Sequence, residues 1–463
     1  MSKSISKEIK YDAIPKLHPN YKLSKVTQQF GVETATITAS GNTYSVFELP
    51  AVAFNLSKSF LTLSYRTPQA ATPGEYSCQF MGVLAPIKRL QFYDKNSVML
   101  CDIDNFDNYT RVMLHSDQPL DSLINGSYET PLFRCNDIPG GTVYGVRPGS
   151  GDIFLGFNEQ AYLSSGVDAA GNNPLPDTPN QTRFKIPLSM FKNTIFALDK
   201  DLYFDDISFI RITWNSYLKI GFENDGTAGD PGTPLAANVN ITSLAIYLAV
   251  ETNAKINSAL KQIIYSTGLT TFFDNVWVQT YSLQGASQNF SVKYGPGMGL
   301  RLKRIYWTSF YANPPNVLVT YDISNLFGDI VPGTCRINRF RTFINKERLL
   351  DFDVECQPGN AVPPELGTTD IGYLDYMVMK DRLAGGAIQN RNIYQYNWFW
   401  CESFDGLKFH EHDDNAELGL DISQKVILYD VNAVTNNLFT WTYNIFGVTQ
   451  RVLTIKKNSV IVV

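Results

Sequence analysis

In the clearest segments of both halves of this chain, apolar side chains recur at every second residue, a pattern that a helix cannot bury. In residues 208–214, Ile210, Ile212 and Trp214 share one face. In residues 438–445, Phe439, Trp441, Tyr443 and Ile445 point one way and Thr440, Thr442 and Asn444 the other. A period of two is that of a strand, whose successive side chains leave opposite faces of a sheet. Shorter runs at 46–50, 60–65, 88–93, 97–100, 184–188 and 241–250 extend the strand reading through the first half. Runs at 302–307, 317–321, 339–344, 394–401, 426–429 and 460–463 do the same in the second. The aromatic content, 29 Phe, 25 Tyr and 6 Trp in 463 residues, supplies a large core and suits half-buried pleated surfaces. The expectation is an all-β chain of sandwich or jelly-roll type.

One helix interrupts this pattern. Over residues 254–265, Ile256, Leu260, Ile263 and Ile264 fall on one face at helical spacing, and Lys255 and Lys261 lie off that stripe. It reads as a short connector between two strand-rich units of about 200 residues each, a size common for β domains. Residues 1–25 carry six Lys against Glu8 and Asp12 and read as a basic arm, either solvated or docked on a neighbouring subunit or an anionic surface. Segments 162–182, 222–237 and 357–370 are dense in Gly, Pro, Asn and Asp, and are expected to be long functional loops.

Phe47-Glu48-Leu49-Pro50 leads into Asn55-Leu56-Ser57-Lys58-Ser59-Phe60-Leu61, and Ile186-Pro187-Leu188 is followed some twenty residues later by the 207–214 run. With the order strand-rich half, short helix, strand-rich half, these segments make the chain resemble the double jelly-roll major capsid proteins of eukaryotic double-stranded DNA viruses, of the virophage and polinton-like type. The first segment resembles the opening of the first roll, the second the part that joins its later strands. The resemblance implies two consecutive eight-stranded jelly-roll β-sandwiches: an arm at 1–26, a first roll at 27–252, a helical connector at 253–270 and a second roll at 271–463. It implies a homotrimer of hexagonal outline, trimer–trimer contacts in an icosahedral shell around DNA, and a place in the virion after assembly inside the host cell. Penton and minor capsid proteins are the further partners it implies, with the long loops as tower or inter-subunit surfaces.

Chemistry is sparse by comparison. No Gly-x-x-x-x-Gly-Lys-Ser/Thr, His-Glu-x-x-His or Gly-x-Ser-x-Gly motif occurs. Residues 145–152 are Gly-rich but lack the Lys of a phosphate loop. His410-Glu411-His412-Asp413-Asp414 places two imidazoles at i and i+2 beside carboxylates, a donor set for a metal, although a solvated loop explains it as well. Cys401 precedes His410 by nine residues without the local context of a thiol protease, and Asp351, Asp353 and Glu355 alternate as carboxylates of a sugar hydrolase would. None of these is assigned as a catalytic, cofactor or metal site, and no enzyme activity or cofactor is expected.

Residues 335–348 carry five cations and one anion with interleaved aromatics, which suits weak, non-specific contact with packaged DNA or a charged edge strand. The overall net charge of −5 excludes a globally basic nucleic-acid coat. The six Cys are too few and too scattered for a disulfide framework and read as reduced thiols in strands. The N-terminal residues lack the apolar core of a signal peptide, and the longest apolar stretch, 241–250, is too short to cross a bilayer, so no transmembrane segment is expected. A second functional reading is a viral or secreted-type β-sandwich that binds carbohydrate or a host receptor through aromatic loop residues.

Overall fold

A computed structural model of the chain describes residues 19–66, 76–79, 84, 86–110, 137–138, 142–143, 183–219, 221–224, 233–234, 238–284, 289–297, 300–311, 336–349, 353–355, 399–404, 419–423, 425–434 and 440–463. Sixteen strands carry the architecture. In the first half they are β1 (Tyr21–Val26), β2 (Tyr44–Leu49), β3 (Ala53–Arg66), β4 (Ile87–Asp94), β5 (Met99–Asp104), β6 (Arg183–Pro187), β7 (Ser208–Trp214) and β8 (Val239–Glu251). In the second half they are β9 (Leu269–Gln284), β10 (Asn289–Tyr294), β11 (Arg301–Tyr311), β12 (Arg336–Ile344), β13 (Glu347–Arg348), β14 (Phe399–Ser403), β15 (Ile427–Val434) and β16 (Thr440–Lys456).

The pairing order is the same in both halves. One sheet runs β1-β8-β3-β6 and its counterpart β9-β16-β11-β14; the facing sheet runs β2-β7-β4-β5 and its counterpart β10-β15-β12-β13. Within each half the first strand pairs with the eighth, the second with the seventh, the third with the sixth and the fourth with the fifth, all antiparallel. This is an antiparallel ribbon wound around a core, the jelly-roll topology, occurring twice. Short strands extend the sheets: Ala35–Ile37 on β8, Asp201–Tyr203 on β3, Leu420–Asp421 on β11, Val354–Glu355 on β12 and Ser459–Val462 on β16.

The alternation read from sequence is what fills each core. β7 alternates buried and half-buried residues without a break, sending Ile210, Ile212 and Trp214 inward with Phe47, Leu49, Leu90 and Phe92. Leu61, Leu63, Ile186, Leu244, Ile246 and Leu248 face them from the other sheet. The buried Trp214 indole N–H donates to the Ser45 hydroxyl at 3.0 Å, which satisfies a donor that burial would otherwise leave costly. In the second half Val292, Tyr294, Ile305, Trp307, Phe340, Ile344, Tyr429, Tyr443 and Ile445 form a separate core cluster.

The connector is the helix Ala254–Ser266. The Asn253 side chain caps it by accepting from the Lys255 N–H at 3.0 Å, as an N-terminal Asn does. Gly268, at φ +86°, turns the chain out into β9 while its N–H bonds the Ile263 carbonyl at 2.8 Å; the left-handed conformation favours glycine there. Ile256, Leu260 and Ile264 are buried in the same cluster as residues from both halves. The Tyr265 hydroxyl donates to Asp205 at 2.5 Å, and the Lys457 N–H donates to the Ile264 carbonyl at 3.2 Å. The helix thus fastens both halves.

Two expectations change. Tyr21–Val26, read as the end of the basic arm, is the first strand of the first sandwich and pairs with Ile246–Glu251 along its whole length. The Phe47–Pro50 segment therefore lies in the second strand, not at the opening of the roll. Within 222–237, read as a loop, Gly221–Asn224 and Thr233–Pro234 pair with each other and with Tyr76–Gln79. Segments 162–182, 357–370 and 317–321, and residues 1–18, lie outside the described residues.

Candidate assembly surfaces

Strand directions place the long connections. Only Pro50–Val52 join β2 to β3 across the two sheets, so these strands run in opposite directions, and antiparallel pairing propagates this to every odd and even strand. All odd-to-even connections of a sandwich therefore leave from one end. Segments 162–182, 222–237 and 357–370 belong to the connections β5–β6, β7–β8 and β13–β14, so each starts and returns at that end of its own roll. Recognition loops on a rigid scaffold are arranged in this way.

The second surface is the joint between the rolls. β16 is buried on both faces. Tyr443 and Ile445 enter the core of the second roll, whereas Phe446 and Val448 pack with residues of the first. Val276 of β9 and Tyr306 of β11 join them. On the first roll the joint is built just beyond β5: the Tyr109 ring lies 5.3 Å from that of Phe446, and the Asn105 side-chain N–H donates to the Asn444 Oδ1 at 3.3 Å. The Thr280 hydroxyl donates to the same oxygen at 3.2 Å. Tyr109 is held by donating to the Lys192 carbonyl at 2.9 Å. Nothing in the first-half sequence marks Asn105 or Tyr109. In the second half the run Tyr443-Asn444-Ile445-Phe446 is the available signal, because its apolar residues abandon the period of two, as a strand covered on both faces does.

The basic stretch is partly self-neutralised. Arg341 donates twice to Asp353, at 2.6 and 2.8 Å, and Arg348 donates to the same carboxylate. Asp353, one of three candidate hydrolase carboxylates, is thereby an ion-pair partner at a sheet surface; its neighbour Asp351 lies outside the described residues. Ser291 donates to Asp430 at 2.5 Å beside Arg341, where Asn289, Phe290, Val431 and Asn432 complete a shallow groove. Residues 410–414 and 145–152 also lie outside the described residues. Among the described residues no three His, Cys, Asp or Glu side chains gather as metal ligands, and no helix is long and apolar enough to cross a membrane.

One carboxylate is buried where sequence gave no sign of it. Glu402 of β14 sits in the second core, accepting from the Thr342 hydroxyl and the Tyr429 hydroxyl, each at 2.9 Å. Thr342 and Tyr429 belong to the opposite sheet, so this carboxylate bridges the two layers. Burial and the Glu402 charge hold the Tyr429 hydroxyl well above the usual tyrosine range, and burial does the same for Tyr294 and for the thiol of Cys101 on β5.

These three groups keep their protons in the folded chain after the unfolded chain has lost them. Stability should therefore be insensitive to them below the unfolded thiol value and fall as pH rises beyond it. Each group removes about 1.4 kcal/mol per pH unit once its unfolded form is ionised, from about pH 8.5 for Cys and about 10 for Tyr. Urea midpoints at pH 7.5, 9 and 10.5 should decline with steepening slope. Rapid labelling of native Cys101 by a thiol reagent at pH 8.5 would contradict this.

The fold so assembled is a double jelly roll: two sandwiches of one topology, joined through a helix and a shared apolar face. It is the fold of viral major capsid proteins. The chain aligns over 96% of its length with 97% of a subunit of the PBCV-1 virus capsid, at 8% identity and TM-score 0.52. It aligns over 97% with 92% of a chain of the Sputnik virophage, at 13% identity and TM-score 0.51, and over 96% with 91% of the Faustovirus major capsid protein, at 10% identity and TM-score 0.50. No protein-family profile and no curated protein matches the sequence.

Proposed function

We propose that this chain is a major capsid protein that assembles as trimers of hexagonal outline into an icosahedral shell around double-stranded DNA, inside the host cell. The single observation that carries the proposal is the repetition of one strand order, first-eighth-third-sixth over second-seventh-fourth-fifth, in a single polypeptide. Two like blocks per chain let three chains present six similar units, and closed symmetry then repeats each contact around the shell. In this reading residues 27–252 with the preceding strand form one block, 253–270 the connector and 271–463 the other. The loop ends of the two rolls serve as tower or inter-subunit surfaces. Penton and minor capsid proteins are its partners, with weak non-specific contact to DNA through whatever charge Asp353 leaves free in 335–348. The function is mechanical, without turnover.

Purified full-length protein imaged by negative-stain electron microscopy should show trimers of hexagonal outline, and shells or sheets of them at high concentration. A monodisperse small oligomer that binds glycans and never tiles would overturn the proposal in favour of a receptor-binding sandwich.

A further inference from the structure

Within the chain, the outer face of the β9-β16-β11-β14 sheet is covered by the first roll, through the residues that follow β5. The equivalent face of the first roll, on β1-β8-β3-β6, has no such cover in the monomer. It carries a matching feature: Phe446 of β16 lies across from Tyr306 of β11, and Tyr247 of β8 lies across from Phe60 of β3. Phe446 and Tyr306 are fully buried in the joint. Tyr247 and Phe60 are stacked at 4.8 Å and 11° but only half-buried, and they stand apart from the core cluster. The Lys185 ammonium lies 4.2 Å over the Phe60 ring, and beside this pair Leu23 of β1 is 48% exposed. Aromatic and cationic anchors of this kind dominate binding at protein interfaces.

We propose that this face, centred on Phe60 and Tyr247, is the docking surface for a second copy of the chain, which seats the end of its second roll that carries β13 and the residues after it. The contact between chains then repeats the contact within the chain, as Tyr109 and Asn105 cover Phe446 and Asn444. It is head-to-tail, and closing it after three copies consumes every such face. The inference deepens the capsid reading and rests on it.

Sedimentation of the full chain tests the contact. Wild type should be trimeric, and Phe60→Arg with Tyr247→Glu should raise the dissociation constant by about 30-fold or more for each anchor lost. Tyr44→Glu, on the outer face of the other sheet, should leave the trimer intact. Thr62→Arg adds charge to the docking face without removing an aromatic, and should also give a folded monomer, as judged by its circular dichroism. In wild-type trimer, hydroxyl-radical oxidation of Tyr247 should be several-fold slower than that of Tyr44. Folded variants that stay trimeric, or a Tyr247 as reactive as Tyr44 in the trimer, would overturn the docking face and leave the capsid reading standing. A wild-type chain that is monomeric at every concentration would overturn the capsid reading, and the contact with it.

Discussion

Phe446→Ala should split the unfolding of this protein into two transitions. Phe446 is fully buried, and its ring meets Tyr109 across the joint. Truncating a buried Phe costs about 3–5 kcal/mol through lost transfer energy and the cavity left behind. That loss falls on the contact between the rolls, because Phe446 faces away from the core of its own sandwich. Ile445, one residue earlier on the same strand, points into that core instead. Ile445→Ala, at about 2–5 kcal/mol, should lower the stability of the second roll and leave the joint in place. Calorimetry distinguishes the pair: a separate early endotherm for Phe446→Ala, and a shifted but undivided profile for Ile445→Ala. A Phe446→Ala profile that stays undivided, with its midpoint within about 2 °C of wild type, would mean that the joint contributes little and that the rolls cohere through the helix alone; for a chain this long, one kcal/mol shifts a midpoint by about 2–4 °C or less.

The contrast between these neighbours also marks where sequence reading stops. Period-two runs such as 208–214 and the helical stripe of 254–265 are local, and they appear in the structure as read. β1 escaped because Lys22 and Lys25 and the exposed Leu23 give it the composition of an edge strand, which resembles a solvated arm when no partner is in view. Its partner β8 lies more than 200 residues away. The same distance hid the joint. Tyr109 and Phe446 are unremarkable until the fold brings them together, and Glu402 reads as surface polarity beside Trp400 until Thr342 and Tyr429 enclose it. Strand order follows from such non-local pairings, so sequence suggested two sandwiches, and only the coordinates show that both are wound in one order. The charge of 335–348 was overread for a related reason: Asp353, which takes up Arg341 and Arg348, lies beyond the stretch that was counted.

Gly447→Ala should be the most damaging single-methyl change in the second roll. Gly447 sits mid-strand between Phe446 and Val448, on the side of β16 that faces its own core. A β-carbon there would lie 1.7 Å from the Tyr294 hydroxyl oxygen and 2.5 Å from the ring carbon that bears it. Tyr294 comes from the opposite sheet and is almost wholly buried, so its rigid ring has little room to withdraw. Overpacking of this kind costs about 1–3 kcal/mol and sometimes more; contact with a buried ring places the substitution at the upper end. The position also explains an interior glycine in a strand that would otherwise favour a larger residue: it lets the facing side chain approach the backbone. The compensating change is Tyr294→Phe. The Tyr294 hydroxyl is buried without a hydrogen-bond partner, so removing it from wild type should be neutral or slightly stabilising. In the Gly447→Ala background it should restore a large part of the loss, giving a coupling of about 0.5–3 kcal/mol in the double-mutant cycle. Urea midpoints of the four proteins measure this directly. Additive effects, with Tyr294→Phe indifferent to the residue at 447, would show that the ring moves aside freely and that the close approach of the two sheets does not require glycine.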